Sequence, residues 1–419
     1  MLISNDIMTA KGMALLEDRD LSINELNFTS RTWGINNITG NFSIDQLEGE
    51  LKGLFNLVSS DQDLEIPLNV RLHDAYFAED SLAPESVTVT VSSDNVGGTM
   101  MNKNVGFEVS VIYTPDVISV FSSDNIGLVG TYLPETGEVF GSIDSEGVMM
   151  LDVGGTAQSD NLNIQISNID INLKNLLSYF KYDDSLKVEN GNLKGDLLLQ
   201  GNFDTPDLFG ELRIDSPRCY LPSLFKNVVS AKEMKVTALH NEITLEKQVY
   251  SLKNTPKFNM DGKIVLDKWA PDYMSLSISS LKNDSIPLEV KSEDYTFIGE
   301  VAGNLDIFVE DNIMDVTGKL YGENINFDIP MPGLGDLTSS SDSDSDVPDP
   351  DEMILRTNLD ITFGTHVIFS YSPILRAVFV PNTHIFIKTD DSTDLYEVSG
   401  ELKIKSGDIN YLRRNFYIK

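Results

Sequence analysis

Residues Gly191 to Ile214 read GNLKGDLLLQGNFDTPDLFGELRI, and this stretch decides the fold class. Gly191, Leu193, Gly195, Leu197 and Leu199 share one parity, while Asn192, Lys194, Asp196 and Gln200 fill most of the other. Side chains of a strand alternate between its two faces, so the spacing predicts a strand that is apolar on one side and wet on the other. Gly201 to Pro206 is turn chemistry, and Gly210 to Ile214 alternates again as an answering strand.

The same texture extends in both directions. It recurs at Val87, Val89 and Val91, at Leu162, Ile164 and Ile166, and at Phe258, Met260, Ile264 and Leu266. It returns at Leu305, Ile307 and Val309, at Ile325, Phe327 and Ile329, and at Leu359, Ile361 and Phe363. Gly, Asn or Asp punctuates the chain about every 8 to 12 residues, the spacing of an all-β meander, so consecutive strands are expected to be antiparallel neighbours. Two further glycine-punctuated copies run from Gly299 to Phe327 and from Gly400 to Ile418. One helix is expected near 171–181, where Leu173, Leu176, Leu177 and Phe180 follow a helical spacing.

The expected fold is all-β: an elongated, twisted, mainly antiparallel sheet curled into an open trough with an apolar interior and one short helix. Four segments are expected: 1–160, β-rich; 161–332, the repeat segment with the helix; 333–352, a disordered Ser/Asp/Pro loop; and 353–419, a C-terminal β segment. The strand-like ending at Asn415 to Lys419 suggests a piece of a longer protein.

Composition narrows the function. Lys plus Arg number 31 against 65 Asp plus Glu, a net charge of −34 that repels nucleic acid and anionic surfaces. Cys219 is the only cysteine, so no intrachain disulfide forms, and the four histidines have no zinc-binding spacing. No run approaches the roughly 18 to 20 apolar residues that cross a bilayer as a helix.

Candidate chemistry is sparse. His366 near Asp360, or His384 near Asp390 and Asp391, has no nucleophile elbow or metal spacing beside it and reads as a strand histidine. The run Asp342 to Asp346 lacks the glycine and distal glutamate of an EF-hand and reads as a solvated linker. Cys219 reads as a small apolar filler. No enzyme activity, metal or cofactor is expected. Alternation alone also fits the interior of a β-sandwich or closed barrel.

From about Leu173 onward the pattern resembles the TamB and AsmA-like families of envelope proteins. The unit from Leu186 to Leu221 looks like their recurrent "G-x-L-x-L-x-G … P-x-L-x-G-x-L" pair, and Val398 to Tyr411 looks like the "G-x-I-x-I-x-x-G-x-I-x-Y" pair of TamB C-terminal regions. The resemblance implies a long sheet curled into a trough, an anchor outside this segment, a periplasmic location between inner and outer membranes, and a role in lipid traffic or outer-membrane biogenesis.

On that reading phospholipid is the expected ligand, with an outer-membrane β-barrel protein as a second partner. The apolar parity is expected to line the path: Leu197, Leu199, Leu212, Ile214, Phe258, Met260, Ile264, Leu266, Leu305, Ile307 and Val309, then Leu320, Ile325, Phe327, Leu359, Ile361, Phe363, Leu402, Ile404, Ile409 and Tyr411. Two other readings fit the same alternation. One is an assembly factor that offers a strand edge to β-barrel proteins, and the other is a passive structural β-module.

Overall fold

The computed structural model describes the chain except for residues 1–8, 18, 30–32, 60–61, 78–83, 123–125, 159–160, 182–185, 223–224, 283, 292–294, 331–352, 394, 412–413 and 419. The Ser/Asp/Pro segment 333–352 therefore lies outside the described residues.

The first strands are β1 (Thr9–Glu17), β2 (Asp20–Thr29), β3 (Trp33–Ser43), β4 (Glu48–Ser59), β5 (Gln62–Phe77), β6 (Pro84–Val96), β7 (Val105–Tyr113) and β8 (Ile118–Ser122). They continue as β9 (Leu128–Leu133), β10 (Glu138–Ser145), β11 (Met149–Gln158) and β12 (Asn161–Asn172), then the helix α1 (Leu173–Leu177). Next come β13 (Lys187–Gly201), β14 (Pro206–Tyr220), β15 (Val229–Ala231), β16 (Glu233–His240), β17 (Glu242–Leu252), β18 (Thr255–Asp267), β19 (Ala270–Ser280), β20 (Ile286–Lys291), β21 (Thr296–Glu310) and β22 (Ile313–Pro330). The last are β23 (Ile354–Phe363), β24 (Ile368–Ser372), β25 (Leu375–Phe379), β26 (Thr383–Asp390), β27 (Leu395–Glu401), β28 (Ile404–Tyr411) and β29 (Arg414–Ile418).

All of them belong to one 29-stranded sheet. Neighbours in sequence are mostly antiparallel neighbours in space, as the turn punctuation predicts. Five lanes of the sheet hold two strands end to end: β15 with β16, β19 with β20, β23 with β24, β25 with β26, and β27 with β28. At about 4.8 Å per lane, the path across the sheet is on the order of 110 Å.

One junction departs from the expected meander. β23 and β24 run parallel to β22, with Ile313 opposite Ile354 and Phe327 opposite Phe369. A parallel pair needs a long return connection, and β22 ends at Pro330 while β23 starts only at Ile354.

The expected boundary between 160 and 161 falls inside a hairpin, since Gln158 pairs with Asn161 and hydrogen bonding continues from β11 into β12. The helix is shorter than its spacing suggests. Ile171 is still a strand residue opposite Leu193, and Asn172 caps α1 by accepting the Asn175 N–H at 3.0 Å.

Glycine shapes the sheet where backbones approach closely. Gly195, opposite Leu212, has φ +145, and a Cβ there would lie 2.0 Å from the Glu211 carbonyl oxygen. Gly303, opposite Leu320, repeats the arrangement with φ +127 and the Lys319 carbonyl at 2.0 Å. Only glycine adopts this conformation without strain, and such kinks let a large sheet curl.

The sheet has no thick core. The whole chain exposes 26586 Å², whereas a compact protein of 46.5 kDa exposes roughly 16,000 Å². Among the described residues only a few hydrophobic side chains are buried, and none of the large ones is fully enclosed.

Candidate functional site

The pairing registers place one apolar lane across nearly the entire sheet. Leu16 is opposite Leu21, which is opposite Phe42, then Gly49, Leu72, Val89, Val111, Val120 and Gly130. The lane continues through Gly141, Val153, Ile166, Leu197, Gly210, Ala238 and Ile243. It then crosses Ile264, Met274, Val309, Met314 and Leu355. Opposed residues share a face of a sheet, so every position on this path from β1 to β23 is apolar or glycine on the same side.

The residues expected from sequence fall on this face. Leu199 opposes Ile164 and Leu208, Leu212 opposes Val236, and Ile214 opposes Leu193 and Met234. Met260 opposes Ile278, Ile307 opposes Leu276 and Val316, and Leu305 opposes Ile278. Leu320 opposes Ile361, Leu359 opposes Ile387, and Phe363 opposes Thr383. Leu266 keeps the parity of Ile264 past a register shift, and Phe327 opposes Phe297 and Phe369. Ile409 opposes Leu375 and Phe416.

Some expected positions differ. Phe258 is only 4% exposed because Phe225, from the connection after β14, stacks over it; Tyr250 stacks beside it with centroids 5.4 Å apart. It belongs to a packed cluster with Val229 and Leu252 rather than to an open surface. Ile325 is likewise buried: left-handed Asn324 shifts the register and seats Ile325 over Gly299 and Gly322. Leu402 lies between β27 and β28, outside any strand, and both Leu402 and Ile404 are exposed. Tyr411 is in β28, but its side chain lies outside the described residues.

The groove is roofed at intervals along the rim that carries the connections after β6, β12 and β14. Asn102 N–H donates to the Tyr179 carbonyl at 2.8 Å and Lys181 N–H to the Met100 carbonyl at 2.7 Å, pairing Met101 with Phe180. This strap joins the β6–β7 loop to the segment after α1, across the curl of the intervening strands. Beneath it lies a cavity of about 980 Å³ whose lining includes Leu64, Phe107, Met149, Leu176 and Phe180. Sequence reasoning missed the strap and the Phe225 roof, because both are single contacts made by loops without periodicity.

The opposite face is charged. Lys235 bridges Glu211 at 3.0 Å and Glu246 at 3.1 Å, Lys194 meets Asp170 at 3.6 Å, and Arg356 meets Asp390 at 3.3 Å. His384 lies 2.6 Å from Asp360 on that outer face, while His366 is exposed in a turn; neither sits in a cleft with a nucleophile. Exposed pairs of this kind contribute little stability and serve mainly to keep the outer face wet.

Two side chains in the packed cluster are shifted by burial. It pushes the Tyr250 hydroxyl up to about 12, with the neighbouring Cys219 adding to the effect. Burial, with Glu189, also raises the Cys219 thiol and makes it a poor nucleophile. The Tyr250 hydroxyl has no hydrogen-bond partner among the described residues. Among the described residues no group of three or more His, Cys, Asp or Glu could hold a metal.

No family model, curated protein or solved structure matches the chain.

Proposed function

We propose that the groove binds the acyl chains of phospholipids and lets them move along the sheet, as a lipid-conduit segment. The single observation behind this reading is the unbroken lane of apolar and glycine positions from Leu16 to Leu355, left largely uncovered by the protein itself. Each methylene exposed to water costs about 0.8 kcal/mol, so two chains of some thirty methylenes face a penalty on the order of 20 kcal/mol. A covered lane removes most of it. Because the contacts are non-directional, a chain can slide without losing them. The charged outer face keeps such a surface in solution and opposes self-association.

The glycine-punctuated hairpins β13–β14 and β21–β22, together with the curled sheet, support a further reading as an envelope segment of TamB/AsmA-like character, set between inner and outer membranes. A second function has one observation in its favour. Every residue of β27 is exposed, and among the described strands its ladder runs to β26, so its other edge could pair with a strand of a β-barrel protein.

Site-specific photocrosslinking tests the main proposal. A photoreactive residue at Leu212, Ile307 or Ile361 is expected to capture phospholipid, whereas one at the adjacent outward positions Arg213, Asp306 or Thr362 is not. Equal capture from both faces, or none from either, would overturn the assignment.

A further inference from the structure

The chain carries a charge of −34, yet one pocket sets three cations against a single carboxylate. It lies on the outer side of the rim that carries the Phe225 connection and has a volume of about 440 Å³. Arg218 at the end of β14, Lys226 before β15 and Lys253 in the β17–β18 turn line it, against one carboxylate, Glu189. Neutral hydrogen-bonding groups complete the wall: Asn227, Asn254, Ser230 and Tyr220.

The placement follows from the sheet. Arg218 pairs with Ser230, while the next residue, Cys219, pairs with Val229 and faces the packed cluster. The cations therefore stand back to back with the most buried part of the groove. Lys253 and Asn254 are left-handed turn residues, with φ of +51 and +63, so the β17–β18 turn is tight and fixes where they stand.

Part of the charge is uncommitted. Arg218 meets Glu189 at 3.3 Å, on a guanidinium that still has further N–H donors. Lys291, a neighbour of Tyr220, is paired with Glu289, a carboxylate that Lys226 also acts on at longer range. Among the described residues neither Lys226 nor Lys253 has a carboxylate at ion-pairing distance. Three cations around one concave surface repel one another and favour an anion. A guanidinium with two ammonium groups and neutral donors suits the several oxygens of a phosphate better than the two of a carboxylate.

We infer that this pocket binds a phosphate-bearing group, either the headgroup of an anionic phospholipid or a soluble phosphate. The inference goes beyond the groove and requires only the pocket, so it can fail while the groove reading stands. A headgroup held here would sit on the rim beside the apolar face.

Calorimetric titration of the full chain with inorganic phosphate, and separately with micelle-free dihexanoyl phosphatidic acid, tests it. Saturable binding of either probe that weakens at least about tenfold in the Lys226→Gln/Lys253→Gln double variant supports the site, a loss of the size expected for charge-assisted contacts. Tighter binding of the short-chain lipid than of phosphate assigns the pocket to a headgroup; equal binding assigns it to a soluble phosphate. Both substituted lysines are exposed and, among the described residues, form no close ion pair, so the variant is expected to fold, and circular dichroism checks this. No saturable binding of either probe at millimolar concentration, or binding unchanged in the folded double variant, overturns the inference. Crosslinking from Ile307 reads the groove independently.

Discussion

The Phe225 ring lies parallel to that of Phe258, with centroids 6.2 Å apart and planes 9° from coincidence, so a loop side chain covers a strand side chain that would otherwise line the groove. Phe225→Ala removes this cover. The expected result is a loss of about 1–3 kcal/mol in denaturant unfolding, less than for a fully buried phenylalanine because Phe225 is half-buried. More phospholipid retained per chain is also expected, read by lipid analysis of the same preparation.

Charge on the groove face interrupts the lane. Ile307→Asp, Leu212→Asp or Ile361→Asp each places a carboxylate between apolar neighbours, where an acyl chain would have to strip its water. Several-fold less bound phospholipid is expected, with the strand signal in circular dichroism retained. Thr237→Asp, on the outer face opposite Glu211 and Thr244, is the control and is expected to bind lipid as the wild type does.

Curvature depends on glycine. Gly195→Val or Gly303→Val introduces a Cβ that would collide with a facing carbonyl in a conformation valine avoids. A loss of roughly 1–3 kcal/mol is expected from the strain. An increased radius of gyration by small-angle scattering would show that the curl had relaxed.

Tyr250 gives the fold an alkaline limit. Its folded value of about 12 lies above the roughly 10 of an exposed tyrosine, so between those values the unfolded chain has released its proton and the folded chain has not. The associated stability is fully present below pH about 10 and is lost as pH rises through about 12, a change on the order of 1–3 kcal/mol. Tyr250→Phe also removes a buried hydroxyl that has no partner among the described residues. That variant is expected to be more stable at neutral pH by about 1 kcal/mol and to show a shallower alkaline loss in pH-dependent urea unfolding.

Much of this architecture was legible in residue order. The alternation through Leu193, Leu197 and Leu199 gives the β13–β14 hairpin with its apolar face, and Leu305, Ile307 and Val309 do the same for β21. The helix was over-read because its span was opened at Ile171 and Phe180 fits the helical spacing of Leu173, Leu176 and Leu177, although tertiary contacts hold Ile171 in a strand and Phe180 in a bridge to Met101. The parallel step after β22 was invisible, since strand direction depends on a connection without apolar pattern. Phe225 and the cations Arg218, Lys226 and Lys253 carry no local signal; only the fold brings residues so far apart in sequence onto one rim.

The lipid content of the purified protein tests the groove most directly. Detergent-free protein is extracted with organic solvent, before and after incubation with liposomes, and phospholipid is quantified by mass spectrometry against protein. A lane on the order of 100 Å long accommodates more than one phospholipid, so at least stoichiometric phospholipid per chain is predicted. Lipid-free protein both before and after liposome exposure would contradict the account.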